Sequence, residues 1–187
     1  MKYSLTPTRM TIVIGAGIAA IIYFARDKII GELPATGDIP LPGVGDSVYT
    51  RNDVRLALRA QAETAGFDPD WFDAIARHES RWKLDCVSPA SASDEKYGGA
   101  HGPMQMLKTT AEALGYTIDA IKADPNTAGE AAAKYMKQGN PSTFDDACAY
   151  WNTGRKTAEQ ALSDIPSWTY NVVVQKDLDW VKENQPS

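Results

Sequence analysis

The chain has 187 residues, 43% of them hydrophobic, with 19 basic and 24 acidic residues for a formal charge of −5. That length gives one real domain with room for a core, and a 23% charged fraction with five Trp excludes a disordered or low-complexity chain. Net acidity without a basic stripe argues against nucleic acid as the main partner.

The charge is uneven. Residues 1–46 hold four Lys/Arg and four Asp/Glu, so residues 47–187 carry the whole −5, together with Trp71, Trp82, Trp151, Trp168 and Trp180. Near the N-terminus, the 16 residues from Met10 to Ala25 lack charge. As a helix they would span roughly 24 Å, against a hydrocarbon core of about 30 Å. Snorkelling Arg9, Arg26 and Lys28, with Tyr3 and Tyr23 at the interfaces, would fit residues 1–30 to a single-pass membrane anchor. A secretory signal peptide is the competing reading, with Lys2 and Arg9 as its basic start. Against it, Tyr23 or Leu33 occupies the third position back from the best cleavage points, after Ala25 or Ala35. Four Gly and three Pro between residues 31 and 46 then predict an extended spacer over 31–47.

From residue 48 to 187 the pattern is helical. Asn52 is a candidate N-cap for a helix that carries Val54, Leu56 and Leu58 and stops at Gly66. Asp68-Pro69 opens the next one as cap and first-turn proline. Further helices are predicted near 103–114, 126–138, 143–151 and 170–183, with Gly115, Gly139 and Gly154 just after three of them. No sustained strand alternation and no repeat interrupts them. The expected class is mostly α.

One polar residue stands on an apolar face. Phe72, Ile75, Ala76 and Glu79 share one side of a helix at i, i+3, i+4 and i+7. Desolvation there would favour a carboxylic acid that holds its proton near neutral pH. The competing reading is an edge salt bridge from Glu79 to Arg77, Arg81 or Lys83.

Around that glutamate runs an ordered set of motifs: His78-Glu79-Ser80-Arg81-Trp82, Val87-Ser88-Pro89-Ala90, Gly102-Pro103-Met104-Gln105, and Ala149-Tyr150-Trp151-Asn152-Thr153-Gly154. Thr109-Thr110-Ala111, Asp124-Pro125, the stretch from Gly129 to Tyr135, and Tyr170 with Val172-Val173 complete it. The set resembles the lytic transglycosylases of the soluble-transglycosylase (SLT) type over roughly residues 68–175. The resemblance implies a lysozyme-like α fold that needs no cofactor or metal. It also implies cleavage of the β-1,4 bond between N-acetylmuramic acid and N-acetylglucosamine in peptidoglycan, with a 1,6-anhydro product. Carried over by position, Glu79 is the catalytic acid/base and Tyr170 orients it. Ser80, Met104, Gln105, Trp151 and Asn152 line or bind the glycan, and Gly102 and Gly154 let the backbone approach closely.

Departures from the family pattern are informative. Trp151 stands where the family has Tyr, and Thr153 where it has Ala. The segment from Ser91 to Ala100 is long and carries Asp94 and Glu95. Either carboxylate in the cleft would activate water and make a hydrolytic muramidase of goose-lysozyme kind; the alternative is a solvated acidic loop. Cys86 and Cys148 could bridge in an oxidising compartment, closing a loop of about 60 residues, or stay as two small buried thiols. A zinc site from His78, His101 and these cysteines lacks short ligand spacing. The whole chain then reads as a membrane-tethered peptidoglycan lyase. Its catalytic domain would face the periplasm or belong to a membrane-associated phage virion, with secretion or phage assembly proteins as further partners. A non-catalytic glycan-binding or assembly module of the same fold is the remaining alternative.

Overall fold

Thr50, rather than the expected Asn52, starts the first helix. Its hydroxyl accepts the Asp53 amide at 3.2 Å, and the Asp53 carboxylate accepts the Thr50 amide at 2.7 Å. This reciprocal box satisfies two of the amides that a helix start leaves unpaired. The computed structural model describes residues 48–88 and 98–186. The expected anchor (1–30), the spacer (31–47), Pro89-Ala90, Asp94 and Glu95 lie outside the described residues.

Helix α1 (Arg51–Ala65) ends at Gly66, whose φ of +85° closes the helix in the left-handed conformation. Helix α2 (Pro69–Ser80) opens as its sequence predicts, with the Asp68 carboxylate capping the Asp70 amide and Pro69 in the first turn. A two-stranded antiparallel hairpin follows, β1 (Ala100–His101) and β2 (Met106–Leu107), pairing Ala100 with Leu107 and His101 with Met106. Then come α3 (Lys108–Ala113), α4 (Ile118–Ala123), α5 (Pro125–Gly139), α6 (Phe144–Thr153), α7 (Ala158–Asp164) and α8 (Tyr170–Glu183). Among the described residues the fold is mostly α, as expected. No described helix is long and apolar enough to cross a membrane.

Two expectations change. The helix predicted from 103 begins only at Lys108, because Gly102 (φ +75°) and Gln105 (φ +53°) turn the chain into the hairpin first. Gly139 does not follow α5 but is its last residue, and Asn140 takes the left-handed position at φ +50°. Gly139 is small for packing: an added Cβ would lie 2.6 Å from Tyr150 Cδ2.

The core explains how the site is held. Helix α1 packs along α5 through Val54, Leu58 and Ala62 against an alanine-rich face of Ala128, Gly129, Ala132 and Met136. At Gly129 an added Cβ would sit 2.8 Å from Gln61 Cγ and 3.4 Å from Leu58 Cα, so the two helices meet closely. Helix α2 lies between α1 and α8. Fully buried Asp73 ties it to α1, accepting from Arg55 Nη2 at 2.9 Å and Nε at 3.1 Å and from Arg59 Nη1 at 3.3 Å. A buried carboxylate is tolerable here because every approach to it is a donor.

Candidate active site

Phe72, Ile75 and Ala76 are fully buried on one face of α2, and Glu79 is half-buried where that face emerges. The Tyr170 hydroxyl donates to Glu79 Oε1 at 2.6 Å from the first residue of α8. Tyr170 itself is only 4% exposed, so its ring has little room to take the hydroxyl elsewhere. Arg77 and Arg81, offered by the sequence as partners of Glu79, reach the carboxylate of Asp177 on α8.

The chain leaves α2 in an unusual way. Arg81 and Trp82 both adopt left-handed backbone angles, φ +58° and +60°, without being glycine. Such residues cost about 1–3 kcal/mol each and persist when their surroundings hold them. Here the Trp82 indole donates to Asp73 Oδ1 at 2.7 Å, and the Trp82 amide closes the helix end by donating to the Ala76 carbonyl at 3.4 Å. The Arg55 guanidinium lies 4.8 Å from the Trp82 ring centre.

Ser80 and Met104 are turned inward. The Ser80 hydroxyl is buried and committed internally: it donates to the Pro103 carbonyl at 2.7 Å and accepts the Lys83 amide at 3.1 Å. Ser80 therefore fastens the glutamate's helix to the hairpin turn. Met104 is 2% exposed and belongs to the core. Gly102 is required by that turn, since a Cβ there would come 2.7 Å from Ile121 Cγ2. Gly154 has open space around it and serves instead as the left-handed cap of α6 at φ +72°.

Gln105, Met106, Leu107, Thr110, Tyr135 and Trp151 line one open pocket. The Gln105 side-chain amide donates to the Gly102 carbonyl at 2.9 Å and to the Cys86 carbonyl at 3.3 Å, which holds it at the rim. Trp151 stands edge-on to Tyr135, ring centres 5.5 Å apart and planes at 80°. Tyr135 packs on Tyr150 at 4.8 Å, and burial pushes its phenol up to about 12, so it stays a neutral donor. Asn152, half-buried, accepts the Trp168 indole N–H on Oδ1 at 3.1 Å. Cys86 and Cys148 are not joined in a disulfide; Cys148 is wholly buried, and desolvation raises its thiol far above the usual range.

Residues 57–167 match the family model described as Transglycosylase SLT domain, more than half of the chain. The chain belongs to the transglycosylase SLT family. Comparisons with curated proteins and with solved structures give no match. Members of the SLT family are lytic transglycosylases of peptidoglycan, and the mostly helical fold fits their lysozyme-like architecture. Glu79, Gln105 and Asn152 all fall inside the SLT stretch, whereas Tyr170 lies beyond it and is brought to Glu79 by the fold alone.

Three participants were missed by sequence reasoning. Trp168 orients Asn152, Tyr135 walls the pocket, and Asp177 receives Arg77, His78 and Arg81. Asp177 had a usable signal. With Tyr170, Val174 and Val181 it shares the buried face of α8, a charged residue on an apolar stripe just as Glu79 is.

Proposed function

We propose that the chain is a peptidoglycan lytic transglycosylase with Glu79 as its acid/base. The observation that carries this reading is the Tyr170–Glu79 hydrogen bond, which restrains a half-buried carboxyl group on the turn of α2 that Ser80 fastens to the hairpin. In the first step Glu79 gives its proton to the glycosidic oxygen as the bond to the muramyl C1 breaks. In the second, the carboxylate takes the proton of the muramyl C6 hydroxyl, whose oxygen closes on C1. The 1,6-anhydro ring forms and Glu79 is again protonated. The substrate's own N-acetyl group would stabilise the positive charge at C1, so one carboxyl group serves where most glycosidases need two.

In the same reading residues 1–30 anchor the enzyme in a membrane and 31–47 let it reach the wall. The catalytic domain then works in the periplasm, or on a virion, to open the wall locally for secretion, pilus assembly or genome entry. The −5 charge supports this, because an acidic enzyme gains no electrostatic hold on an anionic wall and tethering would supply the local concentration instead.

Mass spectrometry of fragments released from purified sacculi tests the chemistry. Anhydro ends one water lighter than reducing ends are expected, and Glu79→Gln should release none while keeping helicity and melting temperature. Reducing ends would identify a hydrolytic muramidase, and glycan binding without release would identify a non-catalytic module. Proteolysis of the domain in spheroplasts tests the orientation, and protection would reverse it.

A further inference from the structure

Glu79 is flanked on its helix by three side chains that converge on one carboxylate. Asp177 Oδ1 accepts from Arg77 Nη1, its Oδ2 lies 2.8 Å from His78 Nδ1, and Arg81 Nη1 approaches to 3.5 Å. Asp177 is 6% exposed, and it lies seven residues after Tyr170 on the face of α8 that packs against α2. Positions seven apart are two turns on and share a helix face. The face of α8 that supplies the hydroxyl for Glu79 therefore also grips the residues on either side of it. The same grip reaches Arg81, the first of the two left-handed residues that end α2. The His78 ring completes the contact, standing edge-on to Tyr170 with centres 5.4 Å apart.

We infer that Asp177 is a positioning residue for the Glu79 acid/base: it locks the last turn of α2 to α8 so that the Tyr170 hydroxyl and the Glu79 carboxyl stay in register. The inference rests on the reading of Glu79 as the acid/base. It assigns no contact with substrate to Asp177. It also gives the C-terminal helix, beyond the SLT stretch, a part in the reaction.

The test uses the full chain on purified sacculi with Asp177→Asn, Tyr170→Phe and the double variant, after Glu79→Gln has been shown inactive. Asp177→Asn should lower kcat roughly tenfold or more with KM within about twofold, since the lost quantity is alignment rather than binding. Residues that act through one another give non-additive losses, so adding Tyr170→Phe should cost only about twofold more. Multiplying losses, or a raised KM at unchanged kcat, would overturn the inference while leaving Glu79 as the acid/base. Should Asp177→Asn fail to fold, His78 supplies the second comparison. His78→Asn keeps an N–H donor near the Nδ1 position and should retain most of kcat, whereas His78→Leu should lose it; equal losses count against the proposal. Amide exchange gives a readout independent of activity. In Asp177→Asn, protection should fall at residues 77–80 and hold at 72–75, and unchanged protection at 77–80 would overturn the inference even if the wild type proved inactive on sacculi.

Discussion

The Tyr170 hydroxyl donates to Glu79 Oε1 across 2.6 Å, joining two side chains 91 residues apart in sequence. The bond links the start of α8 to the last turn of α2, and that same turn is fastened to the hairpin through Ser80 and the Pro103 carbonyl. Three separate stretches of chain thus meet at the last turn of α2. A reacting acid gains from such restraint because its proton must be aimed at one oxygen of a bound sugar.

Removing only that hydroxyl isolates its contribution. A hydrogen bond to an ionisable group is worth about 1.5–3 kcal/mol, so Tyr170→Phe should lower kcat by roughly 10–100-fold. KM should change little, because the ring is buried and makes no part of the pocket. Initial rates of sacculus clearance across substrate concentrations measure both constants. A variant with wild-type kcat would remove Tyr170 from the machinery.

Gly139→Ala tests the support behind the aromatic wall. In an ordinary helix interior alanine is better than glycine by about 1 kcal/mol. Here the added Cβ would meet the Tyr150 ring, with Cδ2 at 2.6 Å, and Tyr150 packs on Tyr135. Overpacking of this kind costs about 1–3 kcal/mol, so the net expectation is a loss of stability. Urea denaturation should show a lower midpoint at unchanged slope; a gain in stability would mean that Tyr150 moves aside freely.

Features set by one or two neighbouring residues could be read from the sequence. Asp68-Pro69, Gly66 and Gly154 mark helix ends by local backbone chemistry, and the structure keeps all three. Glu79 stands out as a charged residue on the face of Phe72, Ile75 and Ala76, but that face alone leaves an edge salt bridge open, and the acid/base role comes from the family resemblance. Its partner was harder to see. Arg77, Arg81 and Lys83 are nearest in sequence, but Arg77 and Arg81 are drawn to Asp177 on α8, 100 residues beyond Arg77. The hairpin was misread as helix because Pro103 and Met104 suit a helix start. Only the left-handed angles at Gly102 and Gln105 show otherwise. Helices α4 and α7, of six and seven residues, are too short for periodicity to report.

Trp151 is one of the two aromatic residues that line the pocket. Its indole presents a broad apolar face beside Gln105, Leu107 and Thr110. Trp151→Ala should raise KM for glycan strands by about tenfold, the loss of roughly 1–2 kcal/mol of aromatic contact. Trp151→Tyr should recover most of that. Isothermal titration of the inactive Glu79→Gln background with muramic acid-containing oligosaccharides separates binding from turnover. Equal affinity in the alanine variant would place the glycan elsewhere.

Acid should weaken the fold through His78. Burial, reinforced by the nearby Arg81 charge, lowers its imidazole from 6.5 to about 4. The Asp177 carboxylate beside it also takes Arg77 and Arg81, and Glu79 and Tyr170 are further polar neighbours in sequence and space. In the unfolded chain the imidazole binds its proton near pH 6.5, so between about 6.5 and 4 the unfolded state holds a proton that the native state lacks. Stability therefore rises with pH across that window and falls on acidification, by up to about 3 kcal/mol. Urea midpoints at pH 7, 6, 5 and 4.5 should decline more steeply for the wild type than for His78→Asn, which has no imidazole to protonate but shares every carboxylate and His101. Parallel curves for the two proteins would show that His78 takes up its proton as easily folded as unfolded.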